Sequence, residues 1–397
     1  MSANMGPLSG VRVLDLGRHI SCPVCGMILG DLGAEVIKVE KTGWGDDTRH
    51  SGEFYNGVNL YFPTENRNKK SVTINFRSDE GKQLLKELIE KSDVLIENFR
   101  PGTMEKMGFG WDKIHEINPR MVAASINGYG QGSPYYMRPG FDSIIAAASG
   151  IMDINRSDKG PRITGGIWFI DIMAGMWSTI AILSALRRRE STGKGQYIDT
   201  AMYDSALFSL NTFLPFFSQS GKINRNSMRN AYDCPSGLFK CKDGEVLCLT
   251  GQDSLFERLL TIVEDPFLHD PKFKDHATRL LPEYYDDINA AVERELQKKT
   301  GDEWEEIFNR VGIPGGKIKD LGDVMASPAT AARNATVELE VPGLGPVTFA
   351  GTPLHFSDET LGFTPAPELG EHNEEIYMGL LGRSKEELEK LKESQAI

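Results

Sequence analysis

The sequence predicts an α/β protein whose first domain is built on a parallel, doubly wound sheet. The apolar segment Val11–Asp15 has the length of a strand, and Glu35–Val39 is a second strand. Between them lie Gly17 and a helix through Cys25–Leu32 that Gly33 ends, which completes a βαβ unit with short connections. Further strands are predicted along the first half of the chain at Ser71–Phe76, Asp93–Glu97, Met121–Ile126 and Gln196–Thr200.

The second observation is an almost entirely apolar run over Thr164–Arg189. Its large apolar residues recur at intervals of three and four, which predicts a buried helix. These residues are Met173, Met176, Trp177, Ile180, Leu183 and Leu186. The run also contains Asp171, Ser178 and Thr179, so we expect a core helix and not a membrane span.

Asp171 is the single carboxylate of this run, and its role has two interpretations. It caps the helix by accepting hydrogen bonds from amides of the first turn. Alternatively, it is a nucleophile beside Gly165 and Gly166, whose amides can approach a reacting carbonyl, and is enclosed by the apolar residues Ile167–Ile170.

Charge and composition argue against several classes of function. The formal net charge of -12 at pH 7 argues against nucleic acid and anionic membranes as the main partners. The N-terminal segment MSANMGPLSG is polar and glycine-rich, so no signal peptide is expected. Five cysteines, an odd number, fit the reducing cytoplasm, and we expect a cytoplasmic protein.

The cysteines give no strong indication of a redox or metal site. Cys22 and Cys25 form a CxxC motif after a strand, which is read either as a redox pair or as small residues packed at a helix start. Cys234, Cys241 and Cys248 are spaced seven apart, which is not a zinc-binding spacing. No metal site is therefore expected.

The turn after the first strand reads LGRHIS and carries one glycine, which argues against a dinucleotide-binding GxGxxG motif. Arg18 and His19 occupy this turn, at the sheet edge where ligands of parallel sheets bind. Basic residues follow three other predicted strands at Lys41, Arg77 and Arg100, so we expect an anion site at this edge. Asn66–Lys70 is a further basic patch.

The second half of the chain contains a smaller α+β domain. We assign residues 1–200 to a large domain, 201–232 to a linker, 233–330 to the small domain and 331–397 to a return to the large domain. The small domain starts with a hairpin, Gly237–Cys241 and Val246–Thr250, around a Lys-Asp-Gly turn. Its predicted helices are Ser254–Val263, Asp286–Gln297 and Asp302–Val311, and in the return segment Leu339–Phe349 is strand-like and Glu374–Gln395 a charged helix.

A series of motifs in a fixed order resembles the family III CoA-transferases of the CaiB/BaiF type, most closely the formyl-CoA:oxalate branch. The motifs include RVLDLGR, DLGAEVIKVE, GDDTRH, NRNKKSVTINFRSDEG, SDVLIENFRPGTMEKMGFGWDKIHEINPRM, INGYGQGSP, GFDSIIAAASG and RRRESTGKGQYIDTAMYDSAL. The likeness continues through GLFKCKDGEVL, VGIPGGKIKDL and ELGEHNEEI, so it covers nearly the whole chain.

The resemblance implies a fold, an activity and a set of site residues. The implied fold is a split Rossmann-like large domain with a smaller domain, in an interlocked homodimer. Asp171 is the implied catalytic residue, Tyr61, Gly140 and Phe141 lie on the substrate side, and CoA or acyl-CoA is a substrate while no cofactor is permanently bound. The implied CoA contacts are His19, Ile20, Lys41, Ile74, Asn75, Arg77, Asn98, Phe99, Arg100 and Lys106.

The implied chemistry moves CoA from an acyl-CoA to a carboxylic acid through an aspartyl anhydride and an aspartyl-CoA thioester on Asp171. Ile20 replaces a substrate-contacting glutamine of the formyl-CoA enzyme, and Tyr232–Gly237 has one glycine where that enzyme has several, which argues against oxalate as the acceptor. Arg138, Arg225 and Arg229 are candidates for holding a second carboxylate.

Two other functions stay open at this point. An α-methylacyl-CoA racemase of the same family would use a histidine of a GHD motif, which reads Gly140-Phe141-Asp142 here, so the second base is absent. A non-catalytic acyl-CoA-binding protein would keep the cleft without turnover.

Overall fold

The computed structural model describes residues 6–155, 162, 166–223 and 232–397. These residues divide into two compact units. The first unit lies within Met1–Ser149, Ile167–Asn211 and Ala331–Ile397, and the second within Gly150–Gly166 and Thr212–Thr330. Of the residues singled out above, Gly165, Arg225 and Arg229 lie outside the described part of the chain.

The described secondary structure alternates between strands and helices in the first 200 residues. The strands are β1 (Arg12–Asp15), β2 (Glu35–Lys41), β3 (Phe54–Tyr55), β4 (Val58–Asn59), β5 (Lys69–Ile74), β6 (Val94–Glu97), β7 (Val122–Asn127), β8 (Tyr197–Ala201), β9 (Ser236–Lys240), β10 (Glu245–Leu249), β11 (Gly315–Lys317), β12 (Thr336–Val341) and β13 (Gly345–Ala350). The helices are α1 (Ser21–Asp31), α2 (Tyr61–Asn66), α3 (Asp79–Glu90), α4 (Thr103–Met107), α5 (Trp111–Ile117), α6 (Asp142–Ser149), α7 (Ile151–Ile154), α8 (Phe169–Thr192), α9 (Met202–Ser209), α10 (Phe213–Ser220), α11 (Asp253–Leu260), α12 (His276–Arg279), α13 (Pro282–Leu296), α14 (Gly301–Val311), α15 (Leu321–Met325), α16 (Pro328–Ala332) and α17 (Lys385–Glu393).

The described part of the first unit is organised around a parallel sheet in the order β5-β2-β1-β6-β7-β8. Numbered along the chain, these six strands have the order 3-2-1-4-5-6 of a doubly wound Rossmann-like fold. The predicted α/β class with a parallel sheet is therefore confirmed. In such sheets the order in which strands are added reverses between strands 1 and 4, here β1 and β6. Ligands bind in the crevice beyond the carboxyl ends of those two strands.

Five strands of the sheet, β1, β2, β5, β6 and β7, are largely buried on both faces. Val13, Leu14, Leu95 and Val122 are almost fully buried, and α3 packs Leu84, Leu85 and Leu88 onto the same core. Strands covered on both faces read as continuous apolar runs, which is why the sequence predicted them within about two residues.

The outer edge of β5 is covered by the C-terminal segment. The backbone amides of Ser71 and Thr73 donate to the side chains of His372 and Asn373, at 3.2 and 2.9 Å. The Tyr377 hydroxyl donates to the Thr73 carbonyl at 2.7 Å. Side chains and backbone from beyond residue 370 thus take the hydrogen bonds that a neighbouring strand would make.

The predicted apolar helix is α8, which begins at Phe169 and continues to Thr192. Its predicted buried face is wrong in part, because Met176 and Ile180 are 49% and 51% exposed in the single chain, and small residues such as Ala174 and Ser178 form the buried side. The helix is long and apolar enough to cross a membrane by length and composition alone, a criterion that core helices also meet. It packs against α1 at Gly175, where a Cβ would lie 2.6 Å from the Ser21 carbonyl oxygen. A side chain at residue 175 would therefore push the two helices apart.

The second unit has its own sheet and core. Its antiparallel strands have the order β11-β10-β9, and the β9–β10 hairpin lies one residue from the predicted one. Phe239, Phe256 and Phe308 are almost completely buried between this sheet and the helices. The Trp304 indole donates to the Leu296 carbonyl at 2.7 Å, which joins α14 to α13.

Two predicted elements are wrong in detail. Leu339–Phe349 is not one strand but the hairpin of β12 and β13, because Gly343 and Gly345 adopt positive φ angles of 84° and 81° and reverse the chain. The single helix predicted over Glu374–Gln395 is a π-helical turn, Glu375–Leu380, followed by α17. Gly382, with a φ of 73°, breaks the helix between them.

Candidate active site

The loops that follow β1 and β6 are joined by a reciprocal pair of hydrogen bonds. The Arg18 amide donates to the Asn98 side-chain oxygen at 2.8 Å, and the Asn98 side-chain amide donates to the Arg18 carbonyl at 2.7 Å. The two loops are the ones that flank the crevice of a doubly wound sheet. Asn98 therefore fixes the mouth of the crevice.

A cleft of about 400 Å³ opens at this place in the first unit. Ile20, Tyr61, Phe141 and Trp168 are among its apolar walls, and Asp171 lies within it. The Tyr61 and Trp168 rings stack with centroids 5.3 Å apart. The lining is divided about evenly between polar and apolar groups, and a cleft of this size can hold a small molecule.

Asp171 lies in the first turn of α8 with 9% of its surface exposed. It does not cap the helix. The carboxylate of Asp142, from the start of α6, accepts hydrogen bonds from the amides of Ile170 and Asp171 at 2.7 and 3.2 Å. The capping interpretation of Asp171 is therefore wrong, and its own oxygens are available to other donors.

The environment of Asp171 disfavours its charged form. Burial, followed by the negative charge of Asp142, raises the pKa of Asp171 to about 7, against the lowering effect of hydrogen bonds from the Ser21 hydroxyl and amide. Burial and the nearby Asp171 charge likewise raise the pKa of Tyr61 to about 12. A carboxyl whose pKa is near neutrality in a cleft is typical of a functional site.

The expected enclosure of Asp171 by Ile167–Ile170 is only partly found. Ile170 is buried, but Ile167, Trp168 and Phe169 are 65%, 52% and 41% exposed in the single chain. The apolar walls come instead from loops distant in sequence, such as Ile20 at the start of α1 and Phe141 ahead of α6.

Many of the residues predicted for the site border this one cleft. They are His19, Ile20, Tyr61, Asn98, Phe99, Arg100, Gly140, Phe141 and Asp171. His19 has a φ of 63°, and its ring meets Phe141 edge to face at 5.7 Å. Gly140 contacts Gly128 so closely that a Cβ at residue 140 would lie 2.6 Å from the Gly128 Cα.

Five other predicted CoA contacts do not line the cleft. Lys41, Arg77 and Lys106 are exposed at the ends of β2, β5 and α4. The Ile74 side chain is fully buried in the core. Asn75 bonds to the C-terminal segment, its amide to the Ala396 carbonyl at 2.8 Å and its side chain to the Gln395 carbonyl at 3.1 Å.

The positive charge of the cleft comes from three arginines. Arg18 is paired with Asp47 at 2.9 Å. Arg100 and Arg138 also line the cleft, and neither makes an ion pair with another described residue. The Arg138 guanidinium lies over the Tyr135 ring, 3.9 Å from its centroid, which holds the side chain in place.

Sequence reasoning did not identify Ser21 and Asp142 as members of the site. Ser21 is the first residue of α1, and Asp142 the first of α6, positions at which polar side chains are common for local reasons. Their proximity to Asp171 depends on long-range packing, and no local signal in the sequence indicates it.

The cysteines and possible metal ligands do not add to this site. Cys22 and Cys25 are buried free thiols, and burial raises the pKa of Cys25 to about 12, which disfavours the reactive thiolate. Within the residues that the structure describes, no group of three or more His, Cys, Asp or Glu could hold a metal ion.

Comparison with known proteins identifies the family. A family model for CoA-transferase family III matches residues 8–373. The chain is 37% identical to the succinyl-CoA–L-malate CoA-transferase beta subunit of Chloroflexus aurantiacus, over 98% of both chains. It is 36% identical to the acetyl-CoA:oxalate CoA-transferase of Acetobacter aceti, over 92% of this chain and 94% of that one.

A solved structure gives the same answer. A CaiB/BaiF family protein from Brucella suis matches with a TM-score of 0.84 and 33% identity, covering 95% of this chain and 100% of that one. The fold and the sequence resemblance agree along the chain, and the resemblance noted from the motifs is confirmed. The protein therefore belongs to the family III CoA-transferases, enzymes that move CoA between an acyl-CoA and a carboxylic acid.

Proposed function

We propose that this enzyme transfers CoA through covalent intermediates on Asp171. A carboxylate oxygen of Asp171 attacks the donor thioester, the C–S bond breaks, and a mixed anhydride and CoA thiolate result. The thiolate then attacks the Asp171 carboxyl carbon, which releases the donor acid and leaves an aspartyl-CoA thioester. The acceptor carboxylate attacks this thioester, and the returning thiolate takes the acceptor acyl group and restores the free carboxylate.

The single observation that carries the proposal is the position of Asp171. It is a buried carboxylate that lines the cleft, and its backbone amide, but not its carboxylate oxygens, is hydrogen-bonded to Asp142. Its raised pKa keeps its conjugate base more nucleophilic than a solvated carboxylate. The sequence of steps consumes no ATP, because one thioester is exchanged for another.

We also propose that the acceptor acid is dicarboxylic. The names of two relatives pair the dicarboxylic acids malate and oxalate with succinyl-CoA and acetyl-CoA, respectively. The cleft offers the guanidinium groups of Arg100 and Arg138, which have no carboxylate partner among the described residues. A guanidinium binds a carboxylate through two parallel hydrogen bonds, so Arg138 is our candidate for the carboxyl group that does not react.

The experiment is an exchange assay with a panel of acyl-CoAs and free acids, in which new thioesters are identified by mass. The wild type should form them, and Asp171→Ala should not while it still binds CoA. Hydroxylamine added during turnover should convert the Asp171 side chain of the wild type to a hydroxamate. Exchange by the Asp171→Ala variant, or a hydroxamate on another residue, would refute the covalent role.

Two comparisons within the same assay test the finer points. Arg138→Ala should raise the KM of dicarboxylic acceptors about 10-fold or more and leave that of monocarboxylic acceptors unchanged, because only the former lose a charged contact. Incubation of a 2-methylacyl-CoA in deuterated water tests the racemase alternative. Deuterium at the α-carbon without thioester exchange would favour that alternative.

A further inference from the structure

The turn between β1 and α1 is held by charged side chains and not by secondary structure. Asp15 accepts the Gly17 amide at 2.9 Å, and the Lys38 ammonium donates to the Gly17 carbonyl at 2.5 Å. Two residues further on, the His19 amide donates to Asp46 at 3.2 Å. With the Asn98 bonds to Arg18, the backbone of this turn is fixed on both sides.

The charged groups beneath the turn are completely buried. Lys38 and Asp46 are 2.9 Å apart, with 1% and 0% of their side chains exposed. Burial alone would lower the pKa of Lys38, but the charges of Asp15 and Asp46 outweigh it and raise that pKa. Burial would raise the pKa of Asp46, and the Lys38 charge reverses this effect. Each group therefore favours the charged form of the other.

Such a pair is poorly explained by stability. The attraction between two buried charges seldom exceeds the hydration free energy that they lose on leaving water. Proteins with apolar residues of the same volume in place of such a pair are often as stable. What the pair provides is a fixed geometry. The Lys38 ammonium donates to one Asp46 oxygen and to the Gly17 carbonyl, and the other Asp46 oxygen accepts the His19 amide and the amide and hydroxyl of Thr48. His19 needs this support, since a φ of 63° is unfavourable for a residue with a side chain.

The turn leads directly to Ser21, which contacts Asp171. Ser21 is 3% exposed and lines the same cleft as Asp171, and its hydroxyl and amide lower the pKa of the Asp171 carboxyl. Gly175 lets α8 approach the Ser21 backbone closely. Any movement of the turn would move these two donors relative to the carboxylate.

We propose that the buried Lys38–Asp46 pair is a positioning device that holds the turn so that Ser21 presents its hydroxyl and amide hydrogens to Asp171. The inference rests on the covalent role proposed for Asp171. When CoA thiolate or the acceptor acid attacks the Asp171 carboxyl carbon, negative charge develops on a carboxyl oxygen. Donors already aimed at these oxygens stabilise that charge without reorganising.

Other ionisable groups also face Asp171, and they are unchanged in the variants used below. Asp142 lies at the start of α6, and Tyr61 and Glu65 lie on α2. The cleft further contains His19, Arg18, Arg100 and Arg138.

The test compares Ser21→Ala, Asp46→Asn and the double variant by the pH dependence of kcat/KM. The wild type should lose activity below about pH 7, where Asp171 becomes protonated. Loss of the Ser21 donors raises the pKa of Asp171, so each single variant should move this limb upward by ~0.5–1 pH unit and lower the plateau about 10-fold. The double variant should have the same acid limb and the same plateau of kcat/KM as Asp46→Asn alone, because both changes remove the same contact with Asp171.

Arg67→Met is the matched control. Arg67 and Asp31 form another buried ion pair of the first unit, with bonds of 2.9 and 2.6 Å, and neither residue lines the cleft. Loss of the Arg67–Asp31 ion pair should lower the Tm but leave the acid limb of the kcat/KM profile in place. If Asp46→Asn does not fold, Lys38→Met/Asp46→Leu replaces it, since removing both charges leaves no buried charge unpaired.

The inference is overturned if the acid limb of the pH profile does not move in Ser21→Ala or does not move in the Asp46 variant. It is also overturned if the two shifts add in the double variant. None of these results affects the proposed function, which fails if exchange survives in Asp171→Ala or if hydroxylamine labels a residue other than Asp171.

Discussion

Replacing Asp171 with asparagine should abolish transfer and make the protein more stable. The pKa of this carboxyl is raised by burial, then by Asp142, from 3.8 to about 7. Because the pKa of Asp171 is higher in the folded than in the unfolded state, proton binding to this carboxyl stabilises the folded state. This stabilisation is complete below pH 3.8 and is lost as the pH rises through about 7. Above pH 7 the folded protein therefore carries a buried charge that the unfolded chain carries in water.

The magnitude follows from the difference between the two pKa values. About three pKa units correspond to about 4 kcal/mol of unfolding free energy at pH 8, and at pH 5 the same calculation gives about 2 kcal/mol. Asparagine has nearly the same shape and does not titrate. Asp171→Asn should therefore be stabilised at both pH values, and by more at pH 8.

The measurement is thermal and denaturant unfolding of both proteins at pH 5 and pH 8. Asp112→Asn is the control, since Asp112 is an exposed acid in the first turn of α5 in the same unit. Its substitution should change the unfolding free energy by less than ~0.5 kcal/mol at either pH. An Asp171→Asn variant that is no more stable than the wild type at pH 8, or that gains equally at both pH values, would refute the reasoning.

Two further predictions concern the groups that surround Asp171. Asp142→Asn removes a negative charge beside Asp171 but keeps an oxygen that can accept the α8 amides. The acid limb of the kcat/KM profile should therefore move about one unit to lower pH. An acid limb that stays in place or moves to higher pH would contradict this role of Asp142. Gly175→Ala places a Cβ 2.6 Å from the Ser21 carbonyl oxygen, so we expect a loss of about 1–3 kcal/mol in stability and a lower kcat. Gly379→Ala is its control, because a Cβ there meets no atom within 4 Å, and equal effects of the two changes would argue against the α1–α8 contact.

The parallel sheet could be predicted from the sequence because each of its buried strands consists of a short apolar run. The error at β5 is informative. The strand was expected at Ser71–Phe76, and it begins at Lys69, which looks like part of a basic surface patch. Lys69 is instead fully buried and bonded to Asp15 at 2.7 Å, and Arg67 is paired with Asp31. A charge that finds a distant partner cannot be distinguished from a solvated one in the sequence.

The candidate site divides in the same way. Loops that directly follow strands, such as those at His19 and Asn98, could be placed at one sheet edge from topology alone. The cap of α8 could not, because Asp142 lies 29 residues before Asp171 and reaches it only in the folded chain. Lys41 is the last residue of β2 and Arg77 follows β5, yet neither of them lines the cleft. Adjacency to a strand end therefore predicts the side of the sheet and not the distance to the site.

The cover over β5 has a consequence for the behaviour of the enzyme in concentrated solution. An open strand at the margin of a sheet is a template on which another polypeptide can pair and grow into aggregates. Here the imidazole of His372, the amide of Asn373 and the phenol of Tyr377 occupy that template. Because these groups come from side chains with irregular spacing, they end the ladder instead of extending it.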